Sequence, residues 1–339
     1  MTRILVTGYG GFLGSAIARQ LLEKGFQVRG LARSRYERLA EQGVECIQGS
    51  VADREVADKA CKDCDAIVHT AAQAGIWGPW SSYYTNNTLA TSHLLEAAHR
   101  NRISTFVYTS SPSVTFDGRP QSGVDESVPY PTKWLCHYPQ SKALAEKDVL
   151  SCIERGGIRG CVLRPHLIWG EKDPHLFPRV IERTLSGRLR RVGSGQNLID
   201  VVHVDHAAWA HVSALEKLLD ADQGVNGKAM FLSDGDPIAC WNWLTQILET
   251  AGVDAPKRSI SFSAAYRLGA VLEAGYKILR KQQEPPMTRF VAAQLALDHY
   301  FDISCARQAL DYQPWIDRNE ALAKCEPWLT GIAKSFSRG

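Results

Sequence analysis

A tyrosine and a lysine stand four residues apart in the segment HYPQSK, residues 137–142. On a helix, positions i and i+4 share a face, so the phenol of Tyr138 and the ammonium of Lys142 would lie side by side. A nearby cation favours the ionised phenol and lowers its pKa from about 10. The pair could therefore serve acid–base chemistry, but a surface pair would show the same spacing, and the rest of the sequence must distinguish the two.

A glycine-rich segment, TGYGGFLG, follows an apolar run typical of a strand and precedes an amphipathic run typical of a helix. The spacing puts Gly8 in a tight turn, Gly11 where the backbone would approach a pyrophosphate, and Gly14 where the helix packs closely on the strand. Free N–H groups and a partial positive charge at the helix N-terminus suit phosphates. This context predicts a dinucleotide site rather than a purely structural turn.

The end of the second predicted strand bears on the choice of cofactor. Its sequence, GLARSRYERL, contains Arg33 and Arg35 and has no acid before Glu37. NAD sites usually place Asp or Glu there, whereas guanidinium groups suit the 2′-phosphate of NADP. The sequence therefore favours NADP(H), with NAD(H) possible; the alternative is that both arginines are solvated loop residues.

Short apolar runs alternate with longer amphipathic ones through the first half of the chain. This pattern predicts strands at 3–7, 26–32, 44–49, 66–71, 105–110 and 160–165, and helices at 12–25, 87–101 and 139–156. Such alternation is typical of a parallel sheet covered on both faces, that is, a doubly wound α/β fold of Rossmann type.

The alternation becomes irregular after about residue 165. We therefore predict an NAD(P)-binding domain over residues 1–165, its sheet completed by later strands such as 228–234. Residues 166–339 should form mainly a smaller, mixed substrate-binding lobe.

Composition limits the function. The 339 residues are 45% hydrophobic and 22% charged, and a net charge of +3 with dispersed basic residues argues against a nucleic-acid partner. Nine irregularly spaced cysteines, without a secretory segment before RILVT, predict free thiols in a cytoplasmic protein. The sequence has no run of 18 apolar residues, so no membrane span is predicted. We expect no metal site, because the C-x-x-C of Cys61 and Cys64 lacks a second pair.

Six segments then occur in one order over most of the chain: TGYGGFLG, HTAA (69–72), YYTNN (83–87), VYTSSPSV (107–114), YPQSK (138–142) and LRP (163–165). That order resembles the extended short-chain dehydrogenase/reductase family. The resemblance implies that Tyr138 is the catalytic acid/base and that Lys142 lowers its pKa and holds the nicotinamide ribose. It also implies that Ser111 hydrogen-bonds the substrate oxygen, with Ser110 and Thr109 as rivals.

The resemblance extends to supporting residues. Asn87 matches the family's structural and relay asparagine, although this chain has NTLAT where the family often has N-V-x-G-T. Ser50 replaces a common acid, which leaves the adenine contact open. Cofactor-binding residues are implied at Gly8, Gly11, Phe12, Leu13, Gly14, Arg33, Arg35, Ala71, Ala72, Tyr138, Lys142 and Pro165.

The chemistry of ketone reduction agrees with these roles. Hydride transfer to a ketone builds negative charge on its oxygen. A phenol at that oxygen can donate the proton, and a serine hydroxyl can stabilise the charge.

Further segments point to the substrate. TSSPSVTFDG, DESVPYPTK and LRPHLIWGEKDPHL resemble the 3β-hydroxysteroid dehydrogenase-type branch of the family, and later segments resemble its bacterial reductases of 2-alkyl-3-oxoalkanoates. This likeness implies reduction of an apolar ketone, a β-keto acid, to the β-hydroxy acid. The alternatives are a 3β-hydroxysteroid or sterol dehydrogenase, an NDP-sugar epimerase and, in another class, a non-enzymatic NADP-binding sensor.

Two apolar segments, 261–281 and 285–297, carry basic residues and could wall a lipid channel or make a peripheral membrane contact. An amphipathic helix more often packs on its own core. Trp77 and Trp80 could roof the pocket or anchor their loop. The helices predicted at 87–101 and 139–156 resemble a family dimer interface, so a homodimer is expected by analogy.

Overall fold

The computed structural model describes residues 1–221 and 224–337. The strands are β1 Arg3–Thr7, β2 Gln27–Ala32, β3 Glu45–Gln48, β4 Ala66–His69, β5 Thr105–Thr109, β6 Gln121–Val124, β7 Arg159–Pro165, β8 Ile168–Trp169, β9 Arg191–Val192, β10 Leu198–Ile199, β11 Val202–His203, β12 Ala229–Leu232, β13 Ile238–Ala239, β14 Ser259–Ile260 and β15 His299–Phe301.

The helices are α1 Phe12–Glu23, α2 Glu37–Glu41, α3 Arg54–Cys61, α4 Trp80–Tyr83, α5 Ala90–Arg100, α6 His137–Glu154, α7 Leu176–Leu185, α8 Val204–Leu219, α9 Cys240–Thr250, α10 Phe262–Ile278, α11 Arg289–Ala296, α12 Ser304–Leu310, α13 Arg318–Lys324 and α14 Glu326–Ser337. A π-helical turn, Tyr84–Leu89, joins α4 to α5, and a 3₁₀ turn, Pro112–Thr115, follows β5.

Seven parallel strands form the central sheet, in the order β12-β7-β5-β4-β1-β2-β3. The strand order reverses next to β1, and the crevice above such a switch point is where doubly wound sheets bind ligands. The predicted Rossmann-type fold is confirmed. The late strand expected within 228–234 does return to the sheet, as β12 beside β7.

Both faces of the central sheet are covered. Along β1, Ile4 and Val6 pack into one hydrophobic cluster, which includes residues of α1 and α8, while Leu5 between them packs into a second cluster with α3, α5 and α6. Successive side chains of a strand point to opposite faces, so a continuously apolar strand is needed where both faces are buried. The sequence of β1 meets that need.

A smaller sheet of mixed direction has the order β13-β10-β15-β6. The pair β10–β13 is antiparallel, and β15 runs parallel to both of its neighbours. The strand β6 comes from the first half of the chain, so this sheet ties that half to the later lobe. The lobe has its own aromatic core around Trp169, Phe177 and Trp243.

One predicted helix differs in form. The helix expected at 87–101 begins earlier, at α4, and passes through the π-helical turn before α5. A π turn adds one residue to a helical turn and often marks a functional site. Asn87 lies within this turn and is buried.

Candidate active site

The glycine loop turns sharply between β1 and α1. Gly8 has a φ of 69°, in the left-handed region that glycine tolerates, and its N–H donates to the Leu31 carbonyl at 2.8 Å. A Cβ on Gly14 would lie 2.2 Å from the Gly8 oxygen, so that close packing requires glycine. Gly11 precedes α1 as its N-cap.

The start of α1 suits an anionic cofactor. Gly11 has no side chain to cap the helix, and the first turn of α1 carries no acidic residue. The N–H groups of this turn therefore have no capping side chain and no negative charge beside them on the helix. The backbone there can donate to a pyrophosphate, which is the group that the glycine spacing predicts.

A cavity of about 960 Å³ runs along the carboxyl edge of the central sheet. We call the part lined by the glycine loop and the ends of β1, β2 and β4 the cofactor half. We call the part lined by residues 173–189, Leu244 and residues 290–295 the substrate half. Twelve of the predicted site residues line this cavity: Gly8, Gly11, Phe12, Leu13, Gly14, Arg33, Ala71, Ala72, Ser111, Tyr138, Lys142 and Pro165.

Two predicted site residues, Arg35 and Asn87, are not among those that line the cavity. The Arg35 side chain is 60% exposed and pairs with Glu37 at 3.0 Å. Arg33 does line the cofactor half, so Arg33 and Arg35 have different surroundings. Tyr36 also lines it, a residue the sequence reasoning missed, and its ring lies edge-on to Tyr9 at 5.4 Å.

Tyr138 and Lys142 lie one turn apart at the start of α6. The Tyr138 phenol is enclosed by protein where it meets the cavity, and this burial raises its pKa to about 12, against the opposing effect of the Ser111 hydroxyl. The lowering of the Tyr138 pKa expected from Lys142 is therefore wrong for this structure.

The surroundings of Lys142 explain the difference. Its Nζ donates to the Thr109 carbonyl at 2.6 Å and lies 4.2 Å from the centre of the Tyr108 ring. Burial lowers the pKa of Lys142 to about 7, opposed by the charge of Glu146. The ammonium is thus held by β5.

Three neighbouring hydroxyls were rivals for the substrate-binding role. Thr109 Oγ1 bonds His211 Nε2 at 2.8 Å, and the Ser110 hydroxyl donates to Glu146. Ser111 Oγ lies 2.9 Å from Ser113 Oγ and accepts from the Ser113 N–H at 3.3 Å, and its hydrogen bond with the Tyr138 phenol lowers the pKa of that phenol. Ser111 is therefore the hydroxyl best placed to turn toward a ligand beside Tyr138.

Asn87 holds α6 from behind the cavity. Its Oδ1 accepts from the Gln73 N–H at 2.6 Å, and its Nδ2 donates to Ser141 Oγ at 2.9 Å. Ser141 in turn donates to the Tyr138 carbonyl at 2.8 Å. This chain connects the loop after β4 to the backbone of the tyrosine.

His69 has a structural position. The Ala71 N–H donates to Thr7 Oγ1 at 3.2 Å, and Thr7 Oγ1 lies 2.6 Å from His69 Nδ1. His69 Nε2 lies 3.0 Å from Thr91 Oγ1, whose hydroxyl donates to the Asn87 carbonyl. Burial lowers the pKa of His69 to about 3, so a catalytic base there has no support.

A buried charge cluster lies behind Ser110, and no sequence motif predicted it. Glu146, fully buried on α6, accepts from Ser110, from Tyr130 at 2.7 Å and from the guanidinium of Arg164. Arg164 is also buried, on β7. The cluster joins β5, β7 and α6, the three elements that carry or support the catalytic candidates.

The substrate half is mainly apolar. Its apolar side chains come from three regions that lie far apart in the sequence: Leu176, Val180 and Leu189, then Leu244, and then Phe290, Val291 and Leu295. The segment 285–297 thus contributes α11 to the wall, whereas α10 is not among the lining elements. Arg179 and Arg183 are the cationic side chains of this wall in the described residues.

Trp77 and Trp80 lie outside the set of lining residues and anchor their loop. Trp77 Nε1 donates to the Lys281 carbonyl at 3.1 Å, and the Trp80 ring packs against His137 and Tyr84. Of the two roles considered for these residues, the structure supports the anchor.

The nine cysteines are free thiols, and Cys61 and Cys64 are buried. Among residues 1–221 and 224–337, no group of three or more His, Cys, Asp or Glu side chains is arranged to hold a metal ion. Within the same residues, every helix is too short or too polar to cross a membrane.

Comparison with known proteins gives the family. The chain belongs to the 3-beta hydroxysteroid dehydrogenase/isomerase family, whose model matches residues 5–263. The family defines it as an NAD(P)-dependent oxidoreductase acting on hydroxyl and keto groups.

Among curated relatives, a 2-alkyl-3-oxoalkanoate reductase of Shewanella oneidensis is 41% identical over 97% of this chain and 87% of its own. A protein of the same name from Stenotrophomonas maltophilia is 40% identical over 95% and 98%. A 3 beta-hydroxysteroid dehydrogenase/Delta 5-->4-isomerase of Mycobacterium tuberculosis is 31% identical over 97% and 91%.

Solved structures share the fold. The protein gox2253 has a TM-score of 0.77 and 26% identity, covering 98% of both chains. MoeE5 in complex with UDP-glucose and NAD has a TM-score of 0.73 and 23% identity, covering 96% of this chain and 98% of its own.

Proposed function

We propose that this protein uses NADPH to reduce the ketone of a 2-alkyl-3-oxoalkanoate to the β-hydroxy acid. The observation that carries the proposal is the shared cavity: a protonated phenol with Ser111 beside it stands where the glycine loop's half meets an apolar half. The names of the two relatives at 40% and 41% identity support the same substrate class.

The raised pKa of Tyr138, about 12, fits the reductive direction. At neutral pH the phenol keeps its proton and can give it to the ketone oxygen as negative charge develops there. The bound nicotinamide would supply the hydride. The Ser111 hydroxyl would donate to the same oxygen, and Asn87 with Ser141 would hold the tyrosine backbone in register.

The cofactor choice rests on Arg33. Arg33 lines the cofactor half, where its guanidinium could meet a 2′-phosphate, and no acid follows β2 before Glu37. NADPH is therefore proposed as the preferred cofactor over NADH.

A 3β-hydroxysteroid or sterol dehydrogenase is the second candidate, because the apolar wall would also suit a sterol and a mycobacterial relative carries that name. The apolar wall disfavours the NDP-sugar epimerase reading. A non-enzymatic sensor would have no use for the catalytic set of Ser111, Tyr138 and Lys142.

One assay separates these candidates. NADPH and NADH consumption would be followed against a panel of 2-alkyl-3-keto acids, 3-ketosteroids and UDP-sugars. We expect turnover of the keto acids with NADPH. Activity on a UDP-sugar alone would exclude the lipid substrate, and activity on ketosteroids alone would favour the second candidate.

We further propose a peripheral membrane contact through α10. Val271 and Ile278 are 69% and 81% exposed, and Lys277, Arg280 and Lys281 stand nearby as cations for anionic lipid head groups. Val271→Glu with Ile278→Glu should abolish co-sedimentation with phosphatidylglycerol vesicles, whereas Leu185→Glu on α7 should not. Equal sedimentation of all three proteins would exclude this contact.

The homodimer expected from α5 and α6 remains a proposal by family analogy. No exposed large apolar side chain of the described residues lies on either helix. Light scattering during gel filtration tests it, and a monomeric mass would refute it.

A further inference from the structure

Two arginines and one glutamate meet at the substrate half of the cavity. Arg183 on α7 donates to Glu284 Oε1 at 2.8 Å, and Arg179, one turn earlier, donates to the same oxygen. Both arginines line the cavity, whereas Glu284 is not among its lining residues. The glutamate therefore holds the pair from outside, in the segment between α10 and α11.

The charges of this cluster do not balance. Two guanidinium groups remain charged at any pH a protein experiences, and Glu284 offers a single negative charge, so one positive charge is left over. Each guanidinium has five N–H donors, and the bonds to Glu284 use one terminal nitrogen of each. Burial, and then the neighbouring Arg179, lower the pKa of Arg183, against the opposing charges of Glu284 and Glu182.

Asp173 is the acidic side chain on the cavity wall nearest in sequence. Its carboxylate already accepts the N–H groups of His175, Leu176 and Phe177 at the start of α7, at 2.8 to 2.9 Å. It is therefore committed to capping the helix and leaves the arginine charge available to a ligand.

The cluster and the catalytic phenol share a cavity. Tyr138, Arg179 and Arg183 are all among its lining residues. One ligand in this cavity could therefore present its ketone to Tyr138 and a charged group to the arginine pair.

We infer that Arg179 and Arg183 bind the carboxylate of the substrate, while the apolar wall takes its alkyl chains. This inference deepens the proposed reductase and rests on it. A planar guanidinium pair matches a carboxylate geometrically, and an acid group one carbon from the ketone is what separates a β-keto acid from a neutral ketone.

The test compares a 2-alkyl-3-keto acid with its methyl ester, which keeps the ketone and both chains and loses the charge. The wild-type protein should prefer the acid in kcat/KM by roughly 10- to 100-fold. Arg179→Gln with Arg183→Gln should abolish that preference, because kcat/KM for the acid should fall to about that for the ester. Arg190→Gln, an exposed arginine of the same lobe, is the matched control and should keep it.

Glu284→Gln distinguishes ligand binding from a merely structural bridge. It breaks the same bridge but leaves both cations, so the preference for the acid should persist or increase. Loss of that preference in Glu284→Gln, to the extent seen in the arginine variants, would overturn the carboxylate site.

The outcomes also separate this inference from the proposed function. If the wild-type protein reduces acid and ester equally well, the reductase function is supported and the carboxylate site is refuted. If it reduces neither, and UDP instead binds in an arginine-dependent manner, both the reductase and the carboxylate site are refuted. The arginine pair then binds a nucleoside diphosphate.

Discussion

The two halves of the cavity are built differently. The cofactor half comes from consecutive βα turns of one sheet, where backbone groups and small residues such as Gly8, Gly11 and Ala71 line the cavity. The substrate half gathers side chains from α7, α9 and α11, more than 100 residues apart at the extremes. Backbone recognition requires fixed spacing along the chain, whereas a side-chain wall requires only apolar character and the right position in space.

That difference predicts where substitutions act. Changes near the junction of the halves should abolish chemistry, changes in the glycine loop should weaken cofactor binding, and changes in the supporting network should alter pH dependence.

Apart from loss of the Tyr138 hydroxyl, Ser111→Ala should produce the largest of these effects. Removing the hydroxyl that would stabilise the ketone oxygen should lower kcat about 10²- to 10³-fold. Ser110→Ala is the matched control, because its hydroxyl is already bound to Glu146, and it should lower kcat by less than about tenfold. Steady-state kinetics with saturating NADPH measure both. A greater loss in Ser110→Ala would reassign the substrate-binding serine.

Gly11→Ala should separate folding from cofactor binding. Its φ of −77° is open to alanine, and the added Cβ would lie 3.2 Å from the Gly8 oxygen, a tight contact that requires a shift of a few tenths of an ångström, so the fold should persist with a small loss of stability. The methyl group should obstruct the pyrophosphate and weaken NADPH binding roughly 10- to 100-fold. Fluorescence titration gives the affinity. Gly14→Ala, whose Cβ would meet backbone at 2.2 Å, should instead lower Tm.

Glu146→Gln should change the pH dependence of turnover. The Glu146 charge raises the pKa of Lys142, which burial holds at about 7, so its removal should lower that pKa further. If the ammonium supports the reaction, the alkaline limb of the kcat profile should move to lower pH. The variant also leaves Arg164 uncompensated, which should cost about 3–5 kcal/mol of stability.

Glu146→Gln combined with Arg164→Met is the control for that stability loss. Removing both buried charges should recover much of the free energy of unfolding but leave the altered pH profile. An unchanged alkaline limb in both variants would contradict the coupling of Glu146 to Lys142.

Arg33→Ala should have the smallest effect. Losing one guanidinium from the cofactor half should reduce the preference for NADPH over NADH by about tenfold. Arg35→Ala should reduce it by less than about threefold, because Arg35 is exposed and paired with Glu37. Comparing kcat/KM for both cofactors gives the ratios. Equal effects would mean that Arg35 turns into the site on binding.

The sequence predicted the parts of the site that depend on spacing. The strand-glycine-helix order located the cofactor half, and the order of segments located Ser111, Tyr138 and Lys142 on one cavity. It failed where burial decides. The direction of the Tyr138 pKa depends on how much protein surrounds the phenol, which no spacing encodes.

Other features could not be predicted from the sequence for similar reasons. Arg179 on α7 and Glu284 in the segment before α11 meet only through tertiary packing. The π turn at Asn87 has no clear signature in its residues. Arg35 was indistinguishable from Arg33 in sequence. Both are exposed, but Arg33 lines the cavity and Arg35 pairs with Glu37.

The most direct measurement is turnover of a 2-alkyl-3-keto acid by Tyr138→Phe, alongside NADPH binding and Tm. The substitution removes only the phenolic hydroxyl, so NADPH affinity and Tm should stay close to those of the wild-type protein. We expect kcat to fall about 10²- to 10⁴-fold. Wild-type kcat in a folded, NADPH-binding Tyr138→Phe protein would contradict proton donation by this residue.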